Sequence, residues 1–439
     1  MTRSWGPLAT RAARRVVVAL VLLAASGAIA GAPASAVTDG PRPAGARPRP
    51  ATPPPPPGWD ATRVRFEPLD GTPVPLTLAG HGPYRGVIEV TRNGGSVAAI
   101  DDLPLEDYVR GIAEVPTNWP LEAQKAQAIA ARTYAVWSAR QQVNAAYKNI
   151  GADICATDAC QVYAGLTREL RDDRATNWIA AVDQTRGQVL AYRNAPIKAK
   201  YSSSNGGRSV AGDEPYLRAV DDPDDAYSPL HHWHITIPLD QIGAALSLPQ
   251  TPVDVQRDGD TVRVTRPDPD PNQEPDATGN AGATTETHVA ATDFRSLVDD
   301  AIPAPDGLPL TIPTMRFSLT TQDGAAVVDG GGWGHGIGMS QYGALGKALR
   351  GMKAPDILAA YYAGLRPVAA PAGWLPDRIR AAGALDDPAA RITGGRFRVV
   401  ADGHVLAPAA SGEWTVQPRG RALRVTPPAD QAGPVAVEH

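Results

Sequence analysis

Residues 105–140 read LEDYVRGIAEVPTNWPLEAQKAQAIAARTYAVWSAR. From Leu121 to Arg140 there is no Gly or Pro, and Leu121, Ala128, Ile129, Ala135 and Val136 are available for a buried face. Pro120, after Asn118 as a cap, stands where a helix can begin, so the stretch predicts a helix. Its many alanines would let another element approach closely. The preceding residues, Trp59 to Asp102, have a different period. Val64-Arg65-Phe66, Val87-Ile88-Glu89-Val90 and the turns Asp70-Gly71 and Asn93-Gly94-Gly95 are strand and hairpin signals. Strands giving way to a long helix indicate an α+β fold, mixed strands and helices around one large domain.

Beyond the helix, Asp153 to Gly165 reads as a loop around two cysteines, and Arg174 to Thr185 as a second helix ended by Gly187. Strands are expected at Val189–Tyr192 and Ile197–Tyr201, at a hairpin in 253–265, and at Phe317–Val328. Residues 267–286, rich in Pro, Asp, Asn, Thr and Gly, read as a disordered insertion. Ser340 can cap a helix to Arg350, and Pro355-Asp356 opens another ending near Gly364. Residues 386–439 return to short strands and read as a small β extension. The main domain is thus expected over 59–385.

At the other end, Arg3, Arg11, Arg14 and Arg15 precede a nearly all-apolar run from Val16 to Ala30 and the small-residue pattern Ala34-Ser35-Ala36. Residues 1–36 therefore read as a cleaved signal peptide rather than a lasting anchor, with contact to the membrane only while it is uncleaved. Residues 37–58, ending in Pro53 to Pro57, read as an extended spacer. The mature protein is expected to be secreted and extracytoplasmic. Losing the four arginines moves the formal charge from -4 to -8. Such a chain lacks the clustered Lys and Arg that nucleic acid requires. Any anionic polymer would have to be held by a shaped groove rather than by bulk attraction. In an oxidising compartment Cys155 and Cys160 read as a local disulfide.

Three islands carry unusual residue choices. In the first, Glu114 lies between apolar neighbours before a Pro-punctuated turn, where partial desolvation would raise its pKa and suit a proton donor. The same position suits a solvated first-turn charge. The second, Tyr201-Ser202-Ser203-Ser204-Asn205-Gly206-Gly207, offers the donors, acceptors and open backbone that sugar hydroxyls need, or else a polar turn. The third runs from Gly330 to Gly343. Six glycines in nine residues surround Trp333, which could stack on a sugar ring, and His335, which could bind substrate or orient a carboxylate. It lacks the Gly-Lys-Ser/Thr ending of a nucleotide loop. His231-His232-Trp233-His234 fits no standard zinc spacing, and no metal or other cofactor is expected.

Taken in order, these islands resemble the SpoIID/LytB family of sporulation and cell-wall proteins, over roughly residues 60–385. The resemblance rests on Leu105 to Gly111, Glu114-Val115-Pro116, Trp119 to Tyr134, Cys160-Gln161-Val162-Tyr163, Tyr201-Ser202-Ser203 with Gly206-Gly207, and Gly332 to Gly343 with Gln341. It implies a substrate groove and a lytic transglycosylase that cuts peptidoglycan glycan strands at the cell wall. Glu114 would be the catalytic acid/base, with Tyr201 opposite it. Ser202, Ser203, Asn205, Gly206, Gly207, Trp333, His335 and Gln341 would line the groove. Two departures stand out. Val115 replaces the usual Met, and Ala159 stands where some members carry a zinc-binding His, which favours the Cys155–Cys160 bridge. LytB-type relatives are described as modifiers of a wall amidase. A non-catalytic glycan binder with a cell-wall amidase or another wall hydrolase as partner is therefore the second expectation.

Overall fold

The computed structural model describes residues 58–69, 75–141, 145–171, 176–267 and 284–431. The expected signal segment, the spacer up to residue 57 and most of the expected insertion (268–283) lie outside the described residues.

Alternation before residue 105 produces antiparallel strands. Arg63–Pro68 pairs with Val87–Asn93, which turns through Gly94-Gly95 into Ser96–Pro104. Arg378–Asp387 pairs on the far side of Ser96–Pro104, and Ile154–Cys155 adds to it in parallel. Phe397–Ala401 and His404–Ala410 complete a seven-stranded sheet. A six-stranded sheet runs in the order Trp59–Ala61, Ala422–Thr426, Trp414–Arg419, Ala390–Thr393, Leu76–Leu78, Gly82–Tyr84. Val64, Phe66, Ile88 and Val90 of the first sheet share one core with Leu76, Leu78, Trp414, Val416 and Leu423 of the second.

The fold is α+β, as expected. The residues from 386 on do form strands, but Phe397–Ala401 lies beside Arg63–Pro68 and Ala422–Thr426 beside Trp59–Ala61. The boundary expected at 385/386 runs through the strand Arg378–Asp387. Paired this way, the tail satisfies the backbone groups that the N-terminal strands would otherwise leave as open edges.

Leu121–Gln141 forms one long helix, and its alanines give it two buried faces. Ala128, Ala131, Ala135 and Val136 pack into the sheet core. Ala126, Ile129 and Ala130 pack into a second core with Leu190, Ile197, Met339, Ile357, Leu358, Tyr361 and Tyr362. Arg132, fully buried on this helix, grips Glu106 with two hydrogen bonds of 2.9 and 2.7 Å, and so fixes the short helix Leu105–Arg110. A third core gathers side chains from the sheet Trp233–Pro238, Ala325–Gly330, Phe317–Gln322, from the sheet Asp254–Asp258, Thr261–Pro267, Thr284–Ala290, and from the helices Leu239–Ala245 and Ala291–Ala301.

Other expectations need adjustment. The run Phe317–Val328 is a hairpin, turning at Asp323-Gly324 where both residues have positive φ. The strands expected in 189–201 are broken into two-residue pieces, Gln188–Val189, Ala191–Tyr192, Ala195–Pro196 and Tyr201–Ser202. Thr284–Ala290, expected in part as insertion, is a regular strand. No helix among the described residues is long and apolar enough to cross a membrane.

Asp101, only 2% exposed in the sheet core, accepts a 2.6 Å hydrogen bond from the Tyr163 hydroxyl. Burial pushes its pKa up to about 7, only partly countered by that hydrogen bond. Between pH 4 and 7 the unfolded chain has lost a proton that the folded protein still holds, so this group's contribution to stability declines as pH rises. Asp101→Asn should therefore gain stability relative to wild type by up to about 1.4 kcal/mol per pH unit between pH 5 and 7. Urea unfolding at a series of pH values checks this. A difference between the two proteins that does not change with pH would contradict it.

Candidate active site

Glu114 sits on an irregular segment held from several sides. Gly111 ends the preceding helix where any Cβ would collide with the Tyr163 ring. The Ala113 N–H then donates to the Val162 carbonyl at 2.8 Å. The Arg168 guanidinium donates to the carbonyls of Ile112 and Val115, bracketing Glu114. The Gln124 amide donates to the carbonyls of Thr117 and Trp119 at 2.8 and 2.7 Å, fixing the turn into the long helix.

The Glu114 side chain is only partly exposed. Its Oε1 accepts from the Val162 N–H at 2.7 Å and from the Tyr201 hydroxyl at 3.3 Å. Burial pushes its pKa up. Hydrogen bonds from Val162, Gln341 and Tyr201 pull the other way without cancelling that effect, and Asp158 of the disulfide loop adds a like charge.

Tyr201 reaches this carboxylate because Tyr201–Ser202 forms a parallel two-residue ladder with Met339–Ser340. The pairing needs Gly338, whose φ is +73° and whose Cβ would collide with the Lys200 carbonyl. Ser340 caps the helix Gln341–Leu349 by accepting from the Gly343 N–H at 3.0 Å, which leaves Gln341 at the helix start facing Glu114.

A buried acidic turn fastens the two loops together. Asp225 is fully buried. It accepts from the hydroxyls of Ser204 (2.7 Å) and Ser340 (2.5 Å), from the N–H groups of Asn205 (3.0 Å) and Gly206 (2.9 Å), and lies 3.0 Å from His231 Nδ1. Burial alone would raise its pKa, but the donors outweigh it and hold the carboxylate below its ordinary value. Asp222, also fully buried, accepts from Asn205 Nδ2 (2.9 Å), Lys347 Nζ (2.5 Å) and the Tyr361 hydroxyl (2.5 Å).

The glycine loop adds Trp333, 38% exposed and bridged through its backbone to Ser204. In His335, Nδ1 accepts from the Ile337 N–H at 2.9 Å, which puts the ring proton on Nε2. His335 is exposed, yet desolvation by the protein around the ring, and then Lys200, push its pKa down to about 4. It is therefore a neutral donor.

The model of the family described as "SpoIID: Stage II sporulation protein" matches residues 93–192. The chain is 31% identical over 286 residues to stage II sporulation protein D of Bacillus amyloliquefaciens, covering 61% of this chain and 75% of that protein. It belongs to the SpoIID/LytB family. It is also 31% identical over 293 residues to the amidase enhancer of Bacillus subtilis (strain 168), covering 57% of this chain but only 38% of that protein. An uncharacterized protein of Brachyspira hyodysenteriae is 27% identical over 318 residues, 69% of this chain and 75% of that one.

Within this SpoIID/LytB site, Glu114, Tyr201 and Gln341 meet directly. Ser203 contributes its backbone carbonyl, which accepts from the Tyr342 N–H at 3.0 Å. The Ser202 hydroxyl is buried without a hydrogen-bond partner, beside Gly334. Asn205 is 1% exposed and its amide is used by Asp222 and Gly207, so its side chain serves the loop rather than a ligand. Gly206 packs against the Gly331 backbone and Gly207 against His231. Cys155 and Cys160 are bonded, with Cα atoms 5.5 Å apart. His231 and His234 turn to different carboxylates, Asp225 and Asp329. Among the described residues no three His, Cys, Asp or Glu side chains are placed to hold a metal. Gln161, Arg168, Asp222 and Asp225 were not anticipated as site residues. Gln161 at least lies in a motif already singled out.

Asp225→Ala leaves five donors around an empty position, and should cost about 3–5 kcal/mol of stability in denaturant unfolding. The amide protons of Asn205 and Gly206 should exchange faster. Unchanged protection at both amides would show that the acid does not fasten the loops.

Proposed function

We propose that this chain is an exported lytic transglycosylase that cleaves peptidoglycan between N-acetylmuramic acid and N-acetylglucosamine, with Glu114 as both acid and base. The observation that carries this reading is the state of Glu114. The side chain is only partly exposed, its pKa is raised, and its donors from Val162 and Tyr201 both fall on Oε1. With Oε1 receiving those two donors, Oε2 is the oxygen to which this reading assigns the transferable proton, with Gln341 a further donor to the same carboxyl. The proton passes to the glycosidic oxygen as the bond to the muramic anomeric carbon breaks. The muramic C6 hydroxyl then attacks that carbon, and its proton returns to Glu114. The products are a free 4-hydroxyl and a 1,6-anhydro ring. No water is consumed, so the second carboxylate of a hydrolase is not needed. Trp333 offers an exposed indole face to a sugar ring, and neutral His335 offers an Nε2–H to a sugar oxygen.

The family membership, the N-terminal pattern of charge and apolar run, and the disulfide agree with work at the cell wall outside the cytoplasm. The likeness to a protein named amidase enhancer favours a second reading, in which the chain binds glycan and tunes a cell-wall amidase.

Mass spectrometry of purified peptidoglycan incubated with the mature protein separates the two. The transglycosylase yields 1,6-anhydro-muramic ends, and Glu114→Gln should lower their rate of formation by about 10²–10⁴-fold. Activity should also fall as pH rises through the Glu114 pKa, because the acid form starts the reaction. Unchanged glycan beside tight binding would favour the amidase-tuning reading, and reducing ends would mean hydrolysis.

A further inference from the structure

Cys160-Gln161-Val162-Tyr163 contributes more to the Glu114 site than the Val162 N–H. Gln161 is fully buried. Its Nε2 lies 3.1 Å from the Ala131 carbonyl and 2.8 Å from the Tyr201 hydroxyl, while its Oε1 lies 3.0 Å from the Tyr108 hydroxyl. These contacts have a forced direction. A backbone carbonyl can only accept, so the amide nitrogen must face Ala131. That nitrogen can only donate, so the Tyr201 oxygen accepts from it. A phenol has one proton, and with its Gln161 side receiving, that proton is directed at Glu114 Oε1, 3.3 Å away. The amide oxygen in turn takes the Tyr108 proton, so Tyr108 does not compete.

We propose that Gln161 is a positioning residue: it fixes the direction of the Tyr201 hydroxyl, so that Glu114 Oε1 is occupied and the exchangeable proton rides on Oε2. The inference rests on the reading of Glu114 as the proton-transfer group, and adds a residue that touches neither substrate nor Glu114. The titratable groups facing the carboxyl fit it. Burial raises the pKa values of the Tyr201 and Tyr108 phenols well above the ordinary range, so both stay protonated. Tyr134 stands beside both phenols, and Asp158 is the nearby like charge.

The test is an infrared titration of the Glu114 carboxyl in the full mature chain, isolated by difference from Glu114→Gln. Gln161→Met conserves volume and removes the polar anchor. Tyr201 then loses its enforced direction, and the Glu114 pKa should rise by about one pH unit. Gln161→Glu should raise it further, by about 1–3 units, because a second carboxylate draws the Tyr201 proton away and adds a like charge. With Tyr201→Phe already in place, Gln161→Met should cause no further rise. An unmoved titration in Gln161→Met, or an equal rise with and without the Tyr201 hydroxyl, would overturn the inference, since packing alone would then explain the residue. Should Gln161→Met fail to fold, Gln161→Glu with and without Tyr201→Phe decides the matter, and an equal rise in both backgrounds again counts against it. The titration needs no turnover. A shifted titration in a protein that cuts no glycan would sink the transglycosylase reading alone, while glycan cleavage with an unmoved titration would sink the role of Gln161 alone.

Discussion

The buried Asp225 carboxylate is the constraint on which the site depends. Five donors from the Ser204–Gly206 turn, Ser340 and His231 converge on one side chain that has no access to water. A buried charge is tolerable only when such donors are all in place, so the loops cannot drift apart without exposing it or leaving it unpaired. Asp222 beside it ties the same turn to Lys347 and Tyr361. The acidic turn therefore sets the distance between the Tyr201 strand and the glycine loop, and hence where Tyr201 and Gln341 meet Glu114.

The other half of the site is set by the alanine-rich helix. Its small side chains allow the sheet core to lie against one face and the loop-bearing core against the other. Glu114 enters from the sheet side, Tyr201 and Gln341 from the loop side. A bulkier helix would separate the two halves, and a carboxylate 3.3 Å from a phenol leaves little room for that.

Much of this was legible in the residues. The change of period at Leu105 set the fold class, and the unbroken stretch after Pro120 set the long helix, because local spacing decides both. The two-residue ladder of Tyr201–Ser202 with Met339–Ser340 was not legible, since it pairs segments far apart in sequence and has no periodicity of its own. Nor was the role of Asp222 and Asp225. An acid-rich turn with a proline ordinarily faces solvent, and only the tertiary arrangement of donors makes it a buried anchor. The tail after Asp386 reads as strands, but nothing local says that they pair with residues 59–68. Asn205 illustrates the opposite failure: its residue type suits sugar recognition, yet its amide is already satisfied inside the loop.

The proposed reaction requires the sugar–sugar linkage to rest against the Glu114 carboxyl. A crystal structure of the Glu114→Gln protein with a peptidoglycan tetrasaccharide bound tests this. The expected result is a muramic acid glycosidic oxygen within about 3 Å of the side chain at position 114. A saccharide bound elsewhere, with no linkage oxygen near that side chain, would contradict the assignment of Glu114 as the proton-transfer group.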